Sequence, residues 1–470
     1  MTTRDTRDLD GARRQGGGVR SWLAPALGIL AGLAVLSMAA CSDPLEVNDP
    51  DIAQPGQLSG PEGLEAQLNG AIGDFAQAYG GNSTGGGGTE GQILATALFT
   101  DEMKHSGTFP TRVEMDARRV RVRNGTLGNF FYNLHRARRS AERTARAYTQ
   151  SDSVEAVDQP VALLQNLAGY SYVFFGETFC AGVPFSRVTE TGDLEYGDGM
   201  STQEMFSTAI SRFDQASSRA QNAGAQDLQY LSQVGRARAL LNQGQYQPAA
   251  DAVSGVPTDW EYEVQYSTNT ARQENGTMTL SAVFERYSVV NEEGGGIDYM
   301  DAYMNGDPRT PWTVAPDSTG FDTAVLMFYE LKYPQRDSPI PLANGIEARL
   351  IEAEAALQQS DPDAFEQIHN DLRARLDTSA VGPIESDTMS MEQMVDFHFR
   401  ERALWLWLTG HRLGDMRRLV RQYGRSASDV YPTGEYFKAQ YGTYGDQVVF
   451  PIPFEETNNP NFETCTNTNA

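Results

Sequence analysis

The chain has 470 residues, with 62 acidic against 37 basic side chains and a formal net charge of −25. A surface so acidic repels phosphate backbones, which excludes nucleic acid as a partner, and the composition offers no basic patch for anionic headgroups. The length allows a large core, built as one big domain or two.

Residues 1–40 read as a secretory leader. Arg4, Arg7, Arg13, Arg14 and Arg20 precede an apolar run from Leu23 to Ala40, and Cys41 follows in the context Leu36-Ser37-Met38-Ala39-Ala40-Cys41. A basic region, an apolar region and small residues before a cut are the order of a signal peptide. The cysteine resembles that of a bacterial lipobox, although Met38 stands where leucine is usual. Cleavage there makes Cys41 the first mature residue and its lipid carrier. The other reading is an uncleaved anchor, but the run is short for a span of about 20 residues. Both readings leave the rest of the chain outside the cytoplasm, and membrane attachment then rests on the lipid. Loss of the leader leaves Cys180 and Cys465, either paired or as two separate thiols.

Residues 41–60 are polar, hold three prolines and read as a tether. Leu64, Leu68, Ile72 and Phe75 set a helical period over 61–80. The glycine-rich stretch 80–91 lacks the Gly-Lys-Ser/Thr of a phosphate loop and reads as a flexible surface loop. Leu163, Leu167, Tyr170 and Phe174 mark a further helix. A capping box at Ser201 and Glu204 opens another, bearing Phe206, Ile210 and Phe213. Leu231, Val234 and Leu241 line the next, stopped by Gly244. The segment Gly244-Gln245-Tyr246-Gln247-Pro248-Ala249-Ala250 resembles the middle of a tetratricopeptide unit, in which small residues let paired helices approach.

The helical period fades over 256–345, where Gly, Pro, Thr, Asp and aromatic residues imply loops, short strands and a few helical turns. Trp260, Tyr262, Tyr266, Tyr299, Tyr303 and Trp312 fall here. Helices resume with Ile346, Leu350, Ala353 and Leu357. Asp361-Pro362 then starts a helix with Phe365, Ile368, Leu372 and Leu376 on one face. Residues 391–408 form a strong helix, and β-branched residues and prolines make 448–453 extended.

The chemistry-bearing residues form no recognisable catalytic or metal-binding constellation. No two histidines stand at metal-ligand spacing, so no metal or cofactor is expected. Asp101-Glu102 reads as a solvated helix end, and no Gly-x-Ser-x-Gly elbow occurs. Charges crowd around the apolar segment Leu404-Trp405-Leu406-Trp407-Leu408. Charges beside a buried helix pair with one another, so Glu401, Arg402, Arg412 and Asp415 read as one structural ion network.

Together these segments resemble the SusD/RagB family of nutrient-binding outer-membrane lipoproteins. Glu401-Arg402, Gly410-His411-Arg412 and Asp415-Met416-Arg417-Arg418 are similar to the family's Glu-Arg, Gly-His-Arg and Asp-Leu-x-Arg signature. Phe450-Pro451-Ile452-Pro453 and Asn459-Pro460-Asn461 resemble its closing motifs. Arg349 to Ala355, Asn370 to Arg375, Asp307-Pro308-Arg309, Lys332-Tyr333 and the turn Gly182-Val183-Pro184-Phe185 fit in the same order. Thr409, Gly414 and Trp405 depart from the pattern. The resemblance implies a mostly α fold of tetratricopeptide-like helix pairs with an irregular loop-rich half. The implied arrangement is a single domain over 61–470, helical at 61–255 and 346–425, loop-rich at 256–345, and extended from 426 to 470. It further implies a lid over a SusC-like TonB-dependent barrel in the outer membrane, receiving oligosaccharides or peptides without turnover. Ser42-Asp43 resembles an export signal to the cell surface. Trp260, Tyr262, Tyr303 and Trp312 are the expected ligand-stacking rings, each with core burial as its alternative. A tetratricopeptide adaptor and a secreted glycosidase are the other readings.

Overall fold

Helix-forming periods and their caps decide the first half of the molecule. The computed structural model describes residues 60–85, 88–189, 193–291 and 293–470. The leader, Cys41 and the tether to residue 59 lie outside the described residues. Helix α1 (Pro61–Gly80) begins on a proline, whose missing N–H is no loss at a helix start. It is followed by α2 (Gln92–Phe99), strand β1 (Met103–His105) and α3 (Pro110–Asp116). The Asn124 side chain caps α4 (Gly125–Gln150). Helix α5 (Asp158–Thr178) leads into two short ribbons. In these, β2 (Val183–Pro184) pairs with β5 (Gly199–Met200) and β3 (Arg187–Val188) with β4 (Leu194–Glu195). The Ser201–Glu204 capping box opens α6 (Thr202–Ala223). Then come α7 (Gln226–Asn242), Gly244 at φ 73°, and α8 (Tyr246–Val253).

Turns of a few residues force α6, α7 and α8 to pack as successive hairpins. The series α1, α4, α5, α6, α7, α8 packs each helix on the next. Close approach is made by glycine. A Cβ on Gly169 or on Gly235 would lie 2.7 or 2.4 Å from the Phe213 ring, and one on Gly176 would lie 2.7 Å from Phe206.

The chain then leaves the helical stack. Strand β6 (Glu261–Val264), the turn α9 (Gly276–Met278), β7 (Tyr287–Val289) and α10 (Tyr299–Met304) precede a ribbon of β8 (Trp312–Thr319) and β9 (Leu326–Glu330). Strand β7 returns antiparallel to β1, with Met103 opposite Val289. Strand β10 (Ile340–Asn344) returns to β6, with Ile340 opposite Val264. Two-stranded sheets are marginal alone; β1 packs on α2 and α3, β10 on α7 and on the helix that follows it, and β9 on β7. Helix α11 (Gly345–Gln358) then packs on α8, and α12 (Pro362–Arg373) and α13 (Met391–Trp405) pack on α11. The loop-rich excursion thus leaves and rejoins one continuous helical stack. Helix α12 ends before Leu376, and α13 ends at Trp405 rather than 408.

Helix α14 (Arg412–Tyr423) packs on α2 and α5, and the short α15 (Ala427–Val430) follows. The tail is extended with two 3₁₀ turns. Its Phe450 enters the core: the Phe450 N–H donates to Thr178 O at 2.9 Å, and the ring meets Phe99 at 4.4 Å. Cys180 and Cys465 are joined by a disulfide. The glycine-rich stretch is not a loose loop at its ends. Asn82 pairs with Thr89, and Gly91 is so close to Tyr79 and Gly81 that no side chain fits there. Among the described residues no helix is long and apolar enough to cross a membrane.

Candidate functional site

The four expected stacking rings fall in two groups: Trp260 and Tyr262 at β6, which pairs with β10, and Tyr303 and Trp312 at α10 and the start of β8. Trp260 is half-buried; its indole N–H donates to Asp227 at 3.2 Å and its ring meets Tyr230 edge-on at 5.6 Å. Tyr262 lines a cavity of about 890 Å³ with Leu68, Tyr148, Leu163 and Leu228. Burial, reinforced by Asp227, pushes its hydroxyl up to about 12.

Trp312 opens β8. Its indole N–H donates to Met300 O at 3.2 Å, and its ring meets Phe328 at 5.2 Å and Tyr303 at 6.3 Å. Val314 stands opposite Phe328 in the ladder. Side chains two apart share a face, as do directly opposed ones. One face of the ribbon therefore carries Trp312, Val314, Leu326 and Phe328. Val314 is 51% exposed, Leu326 59%, and the adjoining Tyr303 and Met304 37% and 69%. Val314, Leu326 and Phe328 carry no recognisable signal in the sequence. Their alternation is broken by a bulge between Val314 and Thr319, which hides the strand period.

The charged residues build the fold. Arg402 holds Asp415 through Nε and Nη2 at 2.9 and 3.0 Å, and Arg418 adds a bond at 2.7 Å. Burial pushes the Asp415 carboxyl up, but Arg402 and Arg418 outweigh it and hold it well below the usual range. Glu401 instead accepts from Arg309 and Arg373 at 2.8 and 2.7 Å. Arg412 forks onto Asp101 with two bonds of 2.7 Å. The expected single network of Glu401, Arg402, Arg412 and Asp415 is thus corrected to three clusters. Successive helix residues point roughly 100° apart, so Glu401 and Arg402 face different neighbours. Asp101 and Glu102 are buried, not a solvated end; Glu102 accepts from the Leu408 N–H at 2.8 Å.

The departures from the family pattern acquire a reason here. A Cβ on Gly414 would lie 2.8 Å from the Glu177 carboxyl carbon. Glu177 fills that space and grips Arg238 at 2.9 and 2.6 Å and Asn242 at 2.8 Å. Thr409 Oγ1 donates to Leu406 O and therefore accepts from His411 Nδ1 at 2.8 Å. His411 Nε2 lies 2.8 Å from Arg238 Nη1 and 3.1 Å from Glu347 Oε1, and burial with the Arg238 charge lowers the basicity of the ring against the pull of Glu347. Among the described residues no group of three His, Cys, Asp or Glu side chains could hold a metal ion.

Residues 347–463 match the model of the SusD family. No curated protein matches the chain. Solved structures share the fold over most of both chains. A SusD superfamily protein from Bacteroides thetaiotaomicron superposes with a TM-score of 0.66 at 16% identity, covering 86% of this chain and 99% of that one. A laminarin-binding SusD-like protein gives 0.62 at 13% identity, covering 87% and 99%. A SusD-like carbohydrate-binding protein from Bacteroides vulgatus gives 0.57 at 15% identity, covering 76% and 83%. The later helices thus match the SusD family model over residues 347–463, and the mostly helical fold is similar to that of SusD-like proteins over most of the chain.

Proposed function

We propose that the protein is a cell-surface receptor that binds oligosaccharide and hands it, unaltered, to a SusC-like TonB-dependent barrel. Acyl chains on Cys41 hold it at the outer membrane. The observation that carries this reading is the exposed apolar and aromatic face of the β8–β9 ribbon with the adjoining Tyr303 and Met304. Aromatic rings flanked by polar edges suit the C–H faces of sugars, and large exposed apolar patches mark binding surfaces. Two of the structural relatives are described as binding laminarin and carbohydrate. Peptide is the second ligand class such a face would accept.

Calorimetric titration of the full chain with laminari-oligosaccharides tests the reading. Trp312→Ala with Tyr303→Ala should weaken binding by about tenfold, the loss of roughly 1.4 kcal/mol of ring contact. Unchanged affinity in the double variant removes the ribbon from the site. Release of shortened sugars removes the receptor reading in favour of a glycosidase. Mass spectrometry of the membrane-extracted protein should find an acylated Cys41 at the mature N-terminus, and pull-down from detergent-solubilised membranes should recover a β-barrel.

A further inference from the structure

Helix α4 runs against the charge of the whole chain. It carries Arg136, Arg138, Arg139, Arg143 and Arg146 with Glu142 as its one carboxylate. Arg138 is buried and pairs with Glu142 at 3.0 Å. Arg136, Arg139, Arg143 and Arg146 recur at spacings of three, four and three, which places them on one stripe. Arg136 meets Asp74 at 3.1 Å. Arg139, Arg143 and Arg146 are exposed, and none of them has an acidic partner among the described residues. Like charges one turn apart weaken a helix, and Arg139, Arg143 and Arg146, unlike Arg136, bring the fold no ion pair among the described residues.

The stripe also lines hollows. Arg136 and Arg139 border two neighbouring cavities of about 480 and 450 Å³. The first adds Tyr132, 57% exposed, with the Arg136 guanidinium 5.8 Å from its ring centre. Glu455 and Glu456 line it too, Glu455 beside Gly128 of the helix. The second adds Arg143 and Arg146, with Asp74 as its acidic side chain.

We propose that this face of α4 binds acidic oligosaccharides, sugars bearing carboxylate or sulfate groups. Guanidinium forks match those planar or trigonal anions bidentately. Neighbouring arginines lie about 5–6 Å apart along the helix, which suits a polymer presenting one acid group per unit. The concave shape and the exposed tyrosine ring fit a sugar better than a flat headgroup layer. The inference rests on the oligosaccharide-receptor reading and names a second, charged site for it.

The test titrates the detergent-solubilised full chain with oligogalacturonate, laminari-oligosaccharide and phosphatidylglycerol vesicles at two salt concentrations. The triple variant Arg139→Glu, Arg143→Glu, Arg146→Glu should bind oligogalacturonate at least about tenfold more weakly, with a flattened salt dependence, and should bind laminari-oligosaccharide as before. The Arg→Lys triple, which keeps charge without forks, should fall between. Unfolding curves for each variant verify the fold, and the lysine triple carries the test if the glutamate triple does not fold. Laminari-oligosaccharide binding without oligogalacturonate binding overturns the inference and leaves the receptor reading standing. Equal binding of oligogalacturonate by the triple variant overturns it too, as does vesicle binding lost by the variant with no oligogalacturonate bound at all.

Discussion

Glu102 shows what burial does to a single carboxyl. Burial pushes it up to about 8, with the hydrogen bond from Leu408 opposing. Lys332, whose Nζ donates to Trp407 O, is brought down by burial to about 8. A raised acid contributes stability that is complete below its unfolded pKa of about 4.5 and is lost as pH rises through 8. Glu330 and Asp116, pushed up to about 7 by burial, carry the same sign. The lowered Lys332 has the opposite sign, but below about 8 its contribution is constant. Stability should therefore decline from pH 5.5 to pH 8.5. Glu102→Gln, which mimics the protonated acid, should recover on the order of 1 kcal/mol at pH 8.5 and little at pH 5.5. Urea unfolding at both values checks this, and equal losses in variant and parent would sink it. At the acid end, Asp415 is held ionised by its arginines, so its contribution disappears as pH falls below about 4.

Elements are placed by how closely they can approach. Phe213 of α6 sits between Gly169 of α5 and Gly235 of α7. Gly235→Ala would set a methyl group 2.4 Å from that ring and should cost about 1–3 kcal/mol. Gly73→Ala on α1, with nothing within 4 Å, should be neutral or stabilise by up to about 1 kcal/mol. Thermal unfolding of the pair separates a packing glycine from a merely permissive one, and equal shifts would refute the packing argument. The helices were legible because their apolar periods and caps are local: Ser201 with Glu204, Asp361 with Pro362, Gly244. The ribbon was not. Its bulge breaks the alternation, and the pairings of β1 with β7 and β6 with β10 join segments far apart in sequence. The end of α13 was equally hidden, because Leu408 at φ 53° is held by Glu102 from some 300 residues earlier.

The whole molecule is closed by its tail. Phe450 lies among core rings and the Cys180–Cys465 bond ties the tail to the end of α5. The link spans a sequence separation of 285, so it restrains the unfolded chain strongly. Replacing both cysteines by alanine should lower unfolding stability by about 2–4 kcal/mol. It should also let a protease remove the last residues before the helical stack is cut. A variant as stable as the parent would show that the buried Phe450 strap alone holds the tail.

Sequence alone settled what depends on neighbours along the chain: helix starts and stops, the acidic balance, and the ordered motifs that resemble the SusD family's. It could not say which charges meet, since Arg412 finds Asp101 and Glu401 finds Arg309 across hundreds and tens of residues. Nor could it separate buried rings from exposed ones. The net charge of −25 concealed an arginine stripe, because composition averages over a surface that only folding divides into faces.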